Sequence, residues 1–498
     1  MKLSIKLPGQ RWLPRWLPRR LTISLAILAL ALAVLGWSIW QTHWAWQSGY
    51  GDEDMSAFAL ADPRSLSGGD LTSFHKGFKP FGQAAANLPW QYAKIFEDGD
   101  GLFEHAFVPA VSPRIDGERA GLGPLYNANA CGACHFRDGP VESPYQTGGQ
   151  MNGIFLRLSV ADGKGGWQAP TGYHSQLRDK SIAGVPAEGL GVIEWEELPG
   201  TFPDGEPYRL RRPHFRVDHP GYGPLPENLI IEARSAPRLV GMGLLEAVDD
   251  STLLAMASSI AAHADGVSGR VNRVSDPATG KTVIGRFSLK ANEPNLRAQT
   301  AGAAFNDMGI TSPLHPRELC LPGQQACQLA VAAMPTDRPD LAEEQLQALT
   351  VYLQLLAVPA RRDVNEPQVM RGERLFAQAG CAACHRETLQ TGDSHPIKRL
   401  RRQTIHPYTD LLLHDMGPGL SGRPDGEAGA QEWRTAPLWG IGLTERSNHH
   451  SHFLHDQRAR SLQEAILWHD GEAAVAQQRF VKLPRADRQA LIRFLESL

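Results

Sequence analysis

The sequence predicts a mainly α-helical protein of two related domains, with β-hairpin insertions in the first, behind one N-terminal transmembrane helix. Three observations predict it: an uncharged apolar run over 21–40, two Cys-x-x-Cys-His motifs in corresponding places, and an amphipathic helix closing each half. The first run, LTISLAILALALAVLGWSIW, follows a basic stretch and is long enough at helical rise to cross about 30 Å of hydrocarbon. Trp37, Trp40, Trp44 and Trp46 stand where an outer aromatic belt would lie, and the flanking Lys and Arg assign 1–20 to the cytoplasm. A cleaved signal peptide is the competing reading, but the run is long for one and no small-x-small site follows promptly. The anchored reading makes the chain a single-pass protein of a bacterial inner membrane, with its folded body in the periplasm.

After 41–95, a Gly, Ser, Asp and Pro-rich stretch that reads as a linker, the chain says similar things twice. Leu102-Phe103 and Leu375-Phe376 precede the Cys motifs, and each motif is followed by an Ala-Pro turn leading to spaced glycines: APRLVGMGL from Ala236 and APLWGIGL from Ala436. QALTVYLQLL from Gln347 and QALIRFLESL from Gln489 then close the halves, with Leu349, Tyr352, Leu353 and Leu356, and Leu491, Phe494, Leu495 and Leu498, at helical spacing. The boundary falls in VPARRDVNE, giving domains of 96–360 and 361–498. In the first, extended segments over 192–217 flank the Pro-Asp-Gly turn at 203–205 and predict a β-hairpin inserted in a helical domain.

With 498 residues and 42% hydrophobic content, the chain is neither disordered nor a multi-span membrane protein. Removing the six cations of residues 1–20 from the formal charge of −3 leaves the remainder at −9, which gives no reason to expect nucleic acid. Of the six cysteines, Cys320 and Cys327 share a short loop, LCLPGQQAC, where a disulfide is the simplest use in an exported protein.

The other four form Cys131-x-x-Cys134-His135 and Cys381-x-x-Cys384-His385. Two thiols one helical turn apart can add to the two vinyl groups of haem while the adjacent imidazole reaches the iron. A zinc site would need paired motifs sharing one metal, and no βαβ pattern surrounds either pair as in a thioredoxin-like motif. The expectation is two covalently bound c-type haems in cytochrome c-like domains, with His135 and His385 as proximal ligands. For the second haem, Ser461-Leu-Gln-Glu464 is a capping box, and His469 follows on the apolar face with Leu462, Ala465 and Ile466, which makes it a candidate sixth ligand. Met416 is the rival and a core histidine the bland alternative. The cluster at His449, His450 and His452 reads as a solvated loop. The equivalent helix of the first domain ends in Phe305, Asn306, Asp307 and Met308, without a histidine. The first haem is then the reactive one, with Asp307 or Glu246 as distal acid/base, unless Met308 closes the site.

GLGPLYNANACGACHFRDG, GVPAEG, RSAPRLVGMGLLEA, DMGITSPLHP, YTDLLLHDMGPGL, RTAPLWGIGL and FLHDQRARSLQEAILWHDGEA together resemble the bacterial dihaem oxidoreductase family of peroxidase-like proteins. More distantly, the paired-domain plan is similar to dihaem cytochrome c peroxidases, the methylamine dehydrogenase maturation enzyme and the rubber oxygenases. The resemblance implies one catalytic and one electron-relaying haem, and it places His469 where the peroxidases have a distal Met and a rubber oxygenase a His. Asp307 matches the distal acid imperfectly. Phe287-Ser-Leu-Lys290 departs from the more frequent Phe-Gly-Trp-Lys, and Trp439 is the candidate bridge between the haems. The function expected is peroxidase-like, taking electrons from a periplasmic donor and using peroxide or another small oxidant. A pure electron-transfer cytochrome and an oxygenase-like or protein-maturation enzyme are the alternatives.

Overall fold

In a computed structural model, which describes residues 61–498 apart from 86–87, 89, 110–119, 143–152, 165, 261–264 and 335–337, the repeated signatures become two helix pairs packed alike. Trp90–Glu104 packs on Glu343–Leu355, and Pro367–Ala379 on Arg485–Ser497. Gly99 lies against the carbonyl of Ala348 and Gly372 against that of Ala490; a Cβ there would come within 2.3 and 1.9 Å of the two oxygens. Phe103 meets Tyr352 and Phe376 meets Phe494, both with ring centroids 5.3 Å apart. These contact residues are the ones that the two Gln-Ala-Leu segments align, so the repeat extends to the way the helices touch. The apolar stripes face inward as their spacing requires, with Leu349, Tyr352, Leu353, Leu491, Phe494 and Leu495 all buried.

The fold is not mainly α: the described residues are 34% helix and 20% strand. Strands Leu190–Thr201 and Pro207–Asp218 pair in antiparallel register from Leu190↔Asp218 to Thr201↔Pro207, a hairpin that encloses the one expected over 192–217. Ile154–Ala161 pairs with Ile230–Ser235 and Trp167–Gln168 in a three-stranded sheet. Ile154, Leu156 and Leu158 alternate inward along the central strand, a period-two signal of a half-buried sheet. Most other strands are pairs of two to four residues, too short for any periodicity to announce them.

The main core draws on both halves, from Leu71 and Phe81 through Leu244 and Tyr352 to Leu400 and Trp439. Leu71 and Phe81 fall inside the stretch expected to be a linker, and Thr72–Ser73 pairs with Val358–Pro359. A second core in the C-terminal half is built from Val369, Phe376, Phe480 and Phe494, and Phe202 at the hairpin tip joins it. There the buried Arg488 donates to Asp204 at 2.8 Å and Glu206 at 2.5 Å, with its guanidinium 3.9 Å from the Phe202 ring centroid. Cys320 and Cys327 are joined in a disulfide.

By contacts the chain divides into Met1–Ser56 and Ala57–Leu498, and every described residue lies in the second unit. The expected span over 21–40 lies outside the described residues. Among those that are described, no helix is long and apolar enough to cross a membrane. The assignment to the inner membrane, with a periplasmic body, is corrected accordingly and is not carried forward.

Because the Gly372 contact is with backbone, it cannot be relieved by a side-chain shift. Gly372→Ala should destabilise the protein by about 2 kcal/mol through overpacking, measurable as a lowered urea midpoint with unchanged slope.

Candidate functional site

Each Cys motif folds as one tight turn. Cys131–Ala133 and Cys381–Ala383 are 3-10 turns, and the amides of His135 and His385 bond back to the carbonyls of Cys131 and Cys381 at 2.9 and 3.0 Å. In the second, Gly380 ends the preceding helix at φ +95°, a conformation that favours glycine. Phe103 lies 6.1 Å from the His135 ring and Phe376 6.3 Å from the His385 ring, so each half offers its imidazole the same aromatic neighbour. The four thiols form no disulfide, and burial pushes Cys131 and Cys381 up to about 12.

At the second turn a cavity of about 310 Å³ opens, lined by Cys381, Cys384, His385, Met416, Trp439 and His469 among others. The His385 and His469 rings face each other across it with centroids 6.4 Å apart. His385 Nδ1 lies 2.9 Å from the Tyr408 carbonyl and His469 Nδ1 2.8 Å from the Ala465 carbonyl, so each ring donates its Nδ1–H and keeps Nε2 for the cavity. Burial pushes His385 down to about 4, which keeps it neutral and its lone pair available. Met416 shares the wall but packs with Leu420 and Trp468. Leu289, from the departing Phe-Ser-Leu-Lys segment, also lines this cavity. Trp439 is buried against the first half, where a Cβ on Gly241 would fall 2.4 Å from its ring.

The first site has the same proximal half and a different opposite half. His135 Nδ1 lies 3.0 Å from the Pro237 carbonyl, and burial holds the ring down at about 4. Two capped helices correspond: the Asn295 side chain accepts from the Ala298 amide and the Ser461 side chain from the Glu464 amide. Counted from these caps, the position of His469 corresponds to Ala303, not to the 305–308 stretch. Met308 is buried in the main core, and Phe305 stacks on His315 at 4.7 Å.

Asp307 ends that helix with Oδ1 accepting from Gln176 Nε2 at 2.8 Å, and it acts electrostatically on Cys131 and Cys134. Desolvation raises its carboxyl above the usual range. Glu293, missed by sequence reasoning, sits 3.5 Å from where a Gly302 Cβ would be, and desolvation lifts it to about 7. The Arg157 guanidinium acts on both acids. Glu246 lies elsewhere, in a second cavity with His395. It accepts from the Leu296 amide at 2.7 Å, Gln354 at 2.6 Å and His395 at 3.0 Å, and these bonds outweigh burial and lower its carboxyl.

Two further groups surround the second cavity. His414 is buried between Asp410, 2.9 Å from Nε2, and Glu472, 2.7 Å from Nδ1, with Cys384 Sγ at 3.6 Å. Burial opposes its charge, but these bonds lift it to about 12, while the bond from His414 helps pull Glu472 down to about 2. The histidine cluster is not a solvated loop: His450 and His452 are buried, and His450 Nε2 donates to the Pro140 carbonyl at 2.9 Å, docking the second half beside the first Cys turn. Gln176 and the Glu472 partner of His414 left no local signal, since each meets its neighbour across a long stretch of chain, whereas Asp410 lies only four residues from His414.

A chain of two related halves, each presenting a Cys-Cys-His turn with an oriented imidazole, defines a protein with two prosthetic-group centres. This chain belongs to the di-haem oxidoreductase family: the family model described as "Di-haem oxidoreductase, putative peroxidase" matches residues 63–498. It is therefore a peroxidase-type oxidoreductase with two haems. No curated protein matches the chain significantly. Among solved structures it is similar to hydrazine synthase of Kuenenia stuttgartiensis, at 11% identity over 81% of this chain and 92% of that one, with a TM-score of 0.28. It is also similar to the diheme peroxidase BthA of Burkholderia thailandensis, at 17% identity over 64% and 94%, with a TM-score of 0.27. At these TM-scores neither likeness carries an argument.

The second cavity fits a haem. With metal–imidazole bonds of about 2.0–2.1 Å and ring centres roughly 1.1 Å behind their nitrogens, one metal held by two imidazoles would set the centroids about 6.2–6.4 Å apart. The observed 6.4 Å lies within that range.

The His414 cluster yields a pH signature. Its imidazole is raised above the ordinary 6.5, so its contribution is complete below pH 6.5 and lost as pH rises; Glu472 is lowered from the ordinary 4.5, so its contribution is complete above pH 4.5 and lost as pH falls. His414→Gln should lower the melting temperature most between pH 4.5 and 6.5, with the deficit shrinking on either side.

Proposed function

We propose that the chain is a peroxidase-like enzyme whose second haem stores and relays electrons and whose first haem is the reactive one. In this reading Cys131 and Cys134, and Cys381 and Cys384, anchor the haems through thioethers. His135 and His385 would ligate the two irons, and His469 would be a second ligand at the second site. The observation that carries the reading is the paired caps: where His385 faces His469, the corresponding position of the first half is Ala303, a side chain with no donor atom.

Bound haem supplies one-electron storage and, where its iron is open, a place for peroxide to be reduced. Reduction of peroxide to two waters takes two electrons, which two bound haems would supply, and two protons. Asp307 is suited to provide a proton, since its desolvated carboxyl keeps one to higher pH than an exposed acid and Gln176 fixes Oδ1. Glu293, in the same Arg157 field, is placed to return a proton to this region. Glu246, bound on both oxygens, stays at the helix start as a structural group. Electrons come from a reduced partner protein and enter through the second site.

The oxidised protein should show one high-spin and one low-spin EPR signal, and stoichiometric peroxide should oxidise both haems of the anaerobically reduced form. Two low-spin signals, or no oxidation, would overturn the reading. His469→Ala should convert the low-spin signal to high-spin and create a second carbon monoxide site, whereas Met416→Ala should leave both signals in place. Asp307→Asn should slow the peroxide reaction by about 100-fold, the low end for loss of a general acid. Cys381→Ser with Cys384→Ser should halve the covalent haem measured after denaturation.

A further inference from the structure

Arg238 follows the Ala-Pro turn of the first half, yet its side chain enters the wall of the second-site cavity. Its Nε is buried with no partner. Its terminal nitrogens reach only Thr444 Oγ1 at 3.4 Å and the Pro437 carbonyl at 3.2 Å. Among the described residues no carboxylate pairs with it, and desolvation holds the guanidinium down at about 10. Arg234 and Arg488, similarly buried, each hold two acids. Arg434 borders the same cavity and likewise spends its donors on carbonyls, those of Ser288 at 2.9 Å and Thr435 at 3.3 Å.

A buried cation without an anion is costly, and it stays in a fold when something else brings the charge. A haem held here through Cys381 and Cys384 would bring two carboxylates into the cavity. Neither arginine bonds to the Cys381–Cys384 turn: their partners are Thr444 and Pro437 for Arg238, and Ser288 and Thr435 for Arg434. We propose that Arg238 is the counter-charge to a porphyrin carboxylate at the second site, with Arg434 available to the other. The inference rests on the reading that this cavity holds haem through Cys381, Cys384 and His385.

The cation comes from one half and the iron ligands from the other. Pro237, the residue before Arg238, supplies the carbonyl that orients His135. One dipeptide therefore sets the charge at the second centre and the ring orientation at the first.

The test uses the full-length holoprotein. Haem content is measured first, and fewer than two haems per chain in the wild type would sink the two-haem reading itself, not this inference alone. With two present, an EPR-monitored redox titration follows the low-spin centre. Removing a cation favours the oxidised state, so Arg238→Gln should shift the oxidised-to-reduced ratio at fixed potential about tenfold, equivalent to about 59 mV for one electron. Arg238→Lys keeps the charge and should stay within about twofold of wild type. A glutamine variant that titrates like wild type, or a lysine variant that shifts as far as glutamine, overturns the proposal. Loss of the second haem in the glutamine variant but not the lysine variant supports it. If neither variant retains the haem, resonance Raman of the wild type decides: propionate bending bands at the hydrogen-bonded position support the assignment, and bands at the free-carboxylate position overturn it.

Discussion

The arrangement of both centres depends on a bond made behind each imidazole. His135, His385 and His469 all give Nδ1–H to a backbone carbonyl, of Pro237, Tyr408 and Ala465 respectively. A ring held this way has one tautomer and one orientation, with Nε2 directed away from the carbonyl. The backbone accepts strain to provide it: Tyr408 is non-glycine at φ +53°, an uncommon conformation that turns its carbonyl to His385. The Phe103 and Phe376 neighbours hold the other sides of the proximal rings, so their directions are set by packing before any cofactor chemistry is considered.

One scaffold used twice gives two unlike sites because the differences are confined to what faces the proximal ring. The first half carries a thirteen-residue helix, Leu296–Met308, with Ala303 where counting from the cap puts the counterpart of His469, and Asp307 near its end. The second carries a six-residue helix, Leu462–Leu467, whose following turn brings in His469. Shared helix pairs give both Cys turns the same setting while the opposite walls diverge.

The parts legible in the sequence are those written locally. The Cys-x-x-Cys-His turns, the Gln-Ala-Leu helices, the Ser461 cap and the 192–217 hairpin each occupy one continuous stretch with a known period or spacing. What escaped is non-local or very short. Two-residue strands have no period, so the fold reads as more helical than it is. His414, Gln176 and Arg238 gain their meaning from partners far along the chain, and His450 looks like part of a polar loop until its contact with Pro140 buries it. The counterpart of His469 was misplaced by a few residues because the two helices differ in length, and only their shared caps restore the alignment.

The hairpin tip has a consequence for how the chain is made. Arg488 reaches Asp204 across 284 residues, and Phe202 completes an apolar cluster whose other members are mostly encoded after residue 360. On a ribosome working from the N-terminus, this ribbon emerges long before its partner and waits with an unpaired acidic tip. The last helix, once released, is where the loop closes, at an entropic penalty that grows only slowly with its length. The closing helix of the second half thus acts as a latch on the hairpin of the first, and a fragment ending before it would keep both Cys turns while lacking the helix that binds the hairpin tip.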